Sequence, residues 1–128
     1  MKLSVVLITL NEEANLQRTL DSVRPLLADG QGEIIVVDSG STDRTVEIAH
    51  SFAARVFVED WKGYAAQKNS AIDKAAGDWI LTLDADEEIS SELSEEIHAV
   101  VLATNAEDGF RFRRRNYFLG RWMKHGGF

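Results

Sequence analysis

The sequence predicts an α/β protein with an open, mainly parallel, Rossmann-like sheet and helices on both faces. Three observations predict it. Short apolar, β-branched runs lack the polar alternation of a sheet wetted on one side. Helical stretches separate these runs in a βαβαβ rhythm. Polar and acidic residues follow two of the runs directly, where an open α/β sheet binds its ligands.

Ser4-Val5-Val6-Leu7-Ile8 reads as a central strand, with Thr9-Leu10-Asn11-Glu12 as its exit loop. Leu16, Leu20 and Val23 have helical spacing, with Asn11 as the expected N-cap and Pro25 as the expected stop. After the turn Ala28-Asp29-Gly30-Gln31-Gly32, Ile34-Ile35-Val36-Val37 forms a second buried strand that delivers Asp38-Ser39-Gly40-Ser41. Thr42-Asp43 opens a helix with Val46, Ala49 and Phe52 on one face, and Arg55-Val56-Phe57-Val58 is a third strand. A further helix is expected from about Tyr64 to Ala76, with Ala65, Ala66, Ala71, Ala75 and Ala76 allowing close packing and Gly77 ending it. At least one of Gln67, Lys68 and Asn69 on it should face the strand ends, although a solvated helix position is the commoner fate of a lysine.

Trp79–Leu83 is the fourth strand, and the chain then turns abruptly acidic at Asp84, Asp86 and Glu87. Carboxylates gathered there repel one another unless a cation or hydrogen-bond donors offset the charge. A divalent metal is the simplest such cation. Acids also precede helices for the sake of the helix dipole, and Ser90-Ser91-Glu92 with Leu93, Ile97, Val100 and Val101 reads as the next helix. Beyond it, Gly109-Phe110-Arg111-Phe112-Arg113 alternates like a half-exposed strand, and residues 114–122 read as a mixed aromatic and basic loop or hairpin.

The length of 128 residues suits one core. It divides into an α/β body, 1–109, and a basic, aromatic segment, 110–128. The net charge is −7, yet Arg111, Arg113, Arg114, Arg115, Arg121 and Lys124 give residues 110–128 a charge of +6 and leave −13 on residues 1–109. An acidic body argues against nucleic acid as partner. The basic residues 111–124 suit either peripheral contact with an anionic membrane surface or a solvated edge. With no cysteine, thiolate metal sites and disulfides are excluded, which fits a reducing cytoplasm. The first apolar run lacks a small-residue cleavage site and reads as a strand rather than a signal peptide, and no stretch is long enough to span a bilayer.

Neither Gly-x-Gly-x-x-Gly nor Gly-x-x-x-x-Gly-Lys-Ser/Thr is present, so phosphate must be held differently, for instance through a carboxylate-bound metal. Ser4 to Glu12, Ile35 to Asp43, Ala66-Gln67-Lys68-Asn69 and Gly77 to Glu87 resemble, in order and spacing, the successive motifs of family 2 glycosyltransferases. The Asp-Ser-Gly-Ser and Asp-Ala-Asp-Glu versions, with Arg115-Asn116-Tyr117 and His125-Gly126-Gly127, are similar to the branch that builds lipopolysaccharide inner core. The resemblance implies a GT-A fold that binds a nucleotide-diphosphate sugar, UDP-glucose by this branch, and transfers the sugar with inversion to a glycan or lipid-linked acceptor. It implies that Thr9 and Glu12 flank the base, that Asp38 contacts base or ribose, that Ser39 belongs to the donor site, and that Asp84 approaches the ribose. It further implies Lys68 near the diphosphate and Asp86 on a divalent metal, Mg or Mn. Leu10 stands where many relatives have an aromatic residue and Ser39 where many have a second acid, which leaves the base open.

In the family the base that deprotonates the acceptor is an acid in the second half, and no Asp or Glu follows Asp108. His125 and Tyr117 are the titratable alternatives, and His125 lies too close to the last residue to be held in place. The expectation is therefore an amino-terminal portion of a longer enzyme, located in the cytoplasm or on the inner face of the membrane, with its catalytic base beyond Phe128. Two readings from other classes stand beside it: a nucleotide-binding regulatory module without chemistry, and a receiver-like signalling domain, which would need a lysine after a later strand.

Overall fold

The computed structural model describes residues 3–28, 30, 32–101 and the backbone of 102–103 and 116–118. Chain order is β1 (Leu3–Thr9), α1 (Leu16–Leu27), β2 (Gly32–Asp38), α2 (Thr45–Ser51), β3 (Arg55–Val58), α3 (Tyr64–Asp73), β4 (Trp79–Thr82), α4 (Ser91–Ala103) and β5 (Asn116–Phe118). The strands form one sheet in the order β3-β2-β1-β4-β5, every pair parallel. The expected α/β class, the four strands expected between Ser4 and Leu83, and helices on both faces are present.

Apolar runs on the central strands are needed because both faces are covered. Val5, Leu7, Ile34, Val36 and Leu81 pack with Leu16, Leu20 and Val23 of α1, Ala49 of α2 and Ile97 of α4. Their alternating neighbours Val6, Ile35, Val37 and Ile80 pack on the other face with Ala71 and Ala75. Three helices thus cover one face, and α3 covers the other. Strand order reverses direction at β1, which has β2 on one side and β4 on the other. The crevice at such a reversal is where this architecture holds ligands.

Several boundaries differ from the sequence expectation. Asn11 does not cap α1, which begins at Leu16; Asn11 has φ 53° and its Oδ1 accepts the Thr42 amide at 2.9 Å, so it joins two loops instead. Pro25 does not stop α1 but lies inside its last turn. The bond a proline removes is there only two residues from the helix end. The helix after β2 starts at Thr45, where Asp43 accepts both the Thr45 amide and hydroxyl. Helix α3 ends at Asp73, and of its expected packing alanines only Ala71 and Ala75 are buried; Ala65 and Ala66 fall on the outer side of the 3.6-residue repeat, and Ala76 is exposed beyond the helix end. Val100 of α4 is exposed for the same reason. Residues 116–118, expected in a loop or hairpin, pair with β4 as a strand. The alternating stretch 109–113, the basic residues Arg111, Arg113, Arg114, Arg115, Arg121 and Lys124, and His125 lie outside the described residues.

Gly77 lets α3 return to the sheet at close quarters. Its amide donates to Ser4 Oγ at 2.8 Å, and that hydroxyl donates in turn to Glu33 at 2.6 Å. A Cβ at this position would stand 2.7 Å from the Ser4 nitrogen and 2.8 Å from the Leu3 carbonyl carbon, both main chain that cannot give way cheaply. Gly77→Ala is expected to destabilise the fold by about 1–3 kcal/mol, the usual cost of overpacking, read as a lower urea midpoint with unchanged slope.

Candidate active site

Asp38 ends β2 and is fully buried, directly opposite Thr9 in the parallel register. Its Oδ1 accepts the Thr9 hydroxyl at 2.7 Å and the Ser41 hydroxyl at 2.6 Å; its Oδ2 accepts the Gly40 and Ser41 amides at 2.9 and 2.7 Å. Gly40, at φ 100°, makes that tight return possible. Burial alone raises the Asp38 pKa, but the hydroxyl and amide donors of Ser41, with Thr9 and Gly40, outweigh it and hold the carboxyl below its ordinary value. The group is an ionised anchor inside the loop that follows β2. From that loop Ser41 Oγ accepts the Asn11 amide at 2.8 Å, and Thr45 Oγ1 accepts the Glu12 amide at 2.8 Å, so the exits of β1 and β2 are tied together.

The acids after β4 divide into one inside and two outside. Glu87 is buried, and its Oε1 accepts the Asp84 amide at 2.8 Å while its own amide donates to the Asp84 carbonyl at 3.0 Å. The turn is held from below by α1, where the buried Thr19 hydroxyl donates to the Ala85 carbonyl at 2.8 Å. Fixing the backbone in this way leaves Asp84 partly exposed and Asp86 exposed. Glu12 lies close enough to feel them. Its pKa is raised first by burial and then by the negative charge of Asp86, with smaller contributions from Asp43 and Asp84.

Helix α3 supplies the opposite charge. Lys68 Nζ lies 3.6 Å from Asp84 Oδ1 across the crevice, so of the three polar residues expected to face the strand ends it is Lys68 that reaches an acid. Gln67 is buried behind it: its amide donates to Ser39 Oγ at 3.2 Å, while its carbonyl accepts the Lys62 amide at 3.2 Å. Asn69 is exposed. The loop between β3 and α3 is further pinned by Glu59, whose carboxyl is held down to about 2 by Lys62, Lys74 and Ser70 at 2.8, 2.8 and 2.6 Å.

The structure therefore brings together Thr9, Glu12, Asp38, Ser39, Lys68, Asp84 and Asp86 at one end of the sheet, at the exits of β1, β2 and β4. It separates their accessibility, with Thr9 and Asp38 turned inward and Asp86 outward. Sequence reasoning missed Glu87 as the brace of the acidic turn and missed Trp61 and Tyr64, which line a cleft of about 410 Å³ with Ile8, Thr9, Leu10 and Glu12. Two aromatic residues in the polar stretch around Gly63 are the signal that could have found them.

The residues present fit a hard cation. Asp84 and Asp86 offer oxygen donors only, and among the described residues no cluster of three or more acids and histidines forms an all-protein cage. One or two carboxylates, with the remaining positions left to phosphate and water, is the donor set magnesium-like ions take beside a nucleotide.

An open parallel sheet whose reversal point carries a braced acidic turn, a facing lysine and a cleft beside β1 is the arrangement of a GT-A glycosyltransferase nucleotide-binding domain. The chain belongs to glycosyl transferase family 2, whose sequence profile matches residues 4–126. The lipopolysaccharide core biosynthesis glycosyltransferase LpsC of Rhizobium meliloti is 35% identical over 125 residues, covering 94% of this chain and 44% of LpsC. Staphylococcus aureus TarS 1–349, solved with UDP-GlcNAc, superposes with a TM-score of 0.65 at 27% identity, over 80% of this chain and 32% of that one. Glucosyl-3-phosphoglycerate synthase of Mycobacterium tuberculosis, solved with Mn2+, UDP and glucosyl-3-phosphoglycerate, gives a TM-score of 0.57 at 35% identity, over 67% of this chain and 33% of that one. The chain spans about a third of the length of the first curated relatives it matches. No helix among the described residues is long and apolar enough to cross a membrane.

Proposed function

We propose that this chain is the donor-binding part of an inverting glycosyltransferase that takes glucose from UDP-glucose and passes it to a glycan or lipid-linked acceptor of the lipopolysaccharide-core type. The observation that carries the reading is Lys68 facing Asp84 over a turn that exposes Asp86. A lysine and an exposed carboxylate, Asp86, at one strand exit form a receptor for a metal-bound diphosphate. The LpsC similarity supports the acceptor class, and the neighbours solved with UDP, UDP-GlcNAc or Mn2+ support the donor and the metal.

In this reading Asp86 holds the metal, Mg or Mn, which when bound supplies positive charge beside the diphosphate. Lys68 adds a second positive charge to the leaving nucleoside diphosphate, and Asp84 turns to the ribose. Thr9, Glu12 and Ser39 border the base and ribose, and Asp38 acts from within, by holding Thr9, Gly40 and Ser41 in place. Residues 1–109 form the donor half and residues 110–128 begin the acceptor side, where the basic stretch 111–124 meets an anionic lipid or membrane surface on the cytoplasmic face.

Titration with UDP and UDP-glucose, with and without manganese, tests the reading. Saturable binding that tightens with manganese is expected. Absence of nucleotide binding under both conditions would overturn it.

A further inference from the structure

Five large apolar side chains are exposed among the described residues: Leu10, Val58, Trp61, Tyr64 and Val100. Three of the five line the same cleft, whose other walls are Ile8, Thr9 and Glu12. Trp61 is 53% exposed, Tyr64 69% and Leu10 50%, so each leaves half or more of its surface open to water. Apolar residues scattered singly over a surface need no explanation, whereas a group of them in one concavity marks a binding site. A cleft of about 410 Å³ lies within the size range of small-molecule pockets.

The aromatic pair is held rather than loose. The rings of Trp61 and Tyr64 meet edge to face, with centroids 5.4 Å apart and planes at 84°. In that arrangement the face of one ring is left uncovered by the other. The backbone carrying Trp61 is fixed on both sides. Glu59 bonds to Lys62, Lys74 and Ser70 on one side of it, and on the other the Lys62 amide donates to the buried Gln67. Tyr64 opens α3, and Lys68 lies one turn further along the same face, where it meets Asp84. A ligand with an aromatic ring at one end and phosphate at the other finds both complements in that order along α3.

We propose that Trp61 and Tyr64 form a stacking platform for the nucleobase of the bound nucleoside diphosphate, opposite the wall made by Leu10 and Thr9. The inference rests on the donor-binding reading above and adds the residues that grip the base. Stacking on an indole tolerates any base, because every base has a π face. The platform therefore supplies affinity, and the choice of base is left to the polar atoms of the β1 and β2 exits.

The test uses the 128-residue chain and three probes, UDP, ADP and pyrophosphate, each titrated in manganese. Trp61→Ala is expected to weaken UDP about 5- to 150-fold, the equivalent of about 1–3 kcal/mol per stacked base, and to weaken any ADP binding by a similar factor. Trp61→Phe should recover most of the affinity, and Tyr64→Ala should show a smaller loss in the same direction. Pyrophosphate, which has no base, should bind all variants equally. Both residues are exposed, so the variants should keep the wild-type urea midpoint, and Tyr64→Ala reads the platform independently of Trp61. Unchanged UDP affinity in Trp61→Ala and Tyr64→Ala overturns the platform while leaving the donor-binding reading intact, as does an equal loss for pyrophosphate. If the wild-type chain binds no nucleoside diphosphate, both fall together.

Discussion

Replacing Asp86 by alanine is expected to abolish the manganese-dependent part of UDP binding. The loss should be at least the roughly 10- to 100-fold that removal of even an outer-shell partner costs a metal site. The side chain is exposed on a turn whose shape is set by Glu87 and Thr19, so its removal leaves the backbone hydrogen bonds of that turn in place. It also removes a negative charge that helps to raise the Glu12 pKa, second only to burial. The apo protein should therefore unfold at the same urea concentration as wild type or slightly higher, as expected where a functional site opposes stability. Isothermal titration with UDP, in manganese and in EDTA, checks the binding, and urea unfolding checks the fold. Wild-type affinity for UDP in manganese would remove Asp86 from the metal site.

Asp38 should behave in the opposite way, with stability lost before binding can be measured. Asp38→Ala strips four donors of their acceptor in a buried place: the hydroxyls of Thr9 and Ser41 and the amides of Gly40 and Ser41. Each buried group left unpaired costs about 1–3 kcal/mol, so a total of roughly 3 kcal/mol or more is expected even after water enters the gap. Asp38→Asn keeps the shape but loses the charge and one acceptor oxygen, and should fall between the two. The pH dependence separates the charge from the shape. The Asp38 carboxyl titrates lower in the folded chain than its ordinary value, because its hydrogen-bond donors outweigh the burial that opposes them. Its contribution is thus fully present above the unfolded aspartate pKa of about 3.9 and is lost as pH falls through the lower folded value. Urea midpoints measured from pH 7 downward should show the wild type losing stability below about pH 4. The part of that loss due to Asp38 should be absent in Asp38→Asn, and an identical acid profile for the two proteins would refute the buried-anchor role.

Much of this was open to reading in the chain itself. Val5 to Ile8, Ile34 to Val37 and Trp79 to Leu83 declare themselves as strands because a parallel strand covered on both faces must be apolar at every position. The acids that follow two of them mark the ligand-binding end of the sheet, because an open α/β sheet binds its ligands outside the carboxyl ends of its strands. That marking picked out Asp38, Asp84 and Asp86, and the family motifs added Thr9, Glu12, Ser39 and Lys68. What the chain could not reveal was which way each group turns. Asp38 and Asp86 both follow apolar strands, yet the parallel register sets Asp38 opposite Thr9 and under the Ser41 loop, while the Glu87 brace turns Asp86 outward. Asn11 looked like a helix cap because capping is local, but its side chain is taken by Thr42, 31 residues away. Trp61 and Tyr64 become a pair facing Leu10 only because α3 crosses to the other face of the sheet and brings its first turn beside the exit of β1. Local sequence determines which residues prefer to be buried and where the chain turns. Long-range register and helix placement decide which polar group finds a partner, and so which carboxylate anchors the fold and which is left for a ligand.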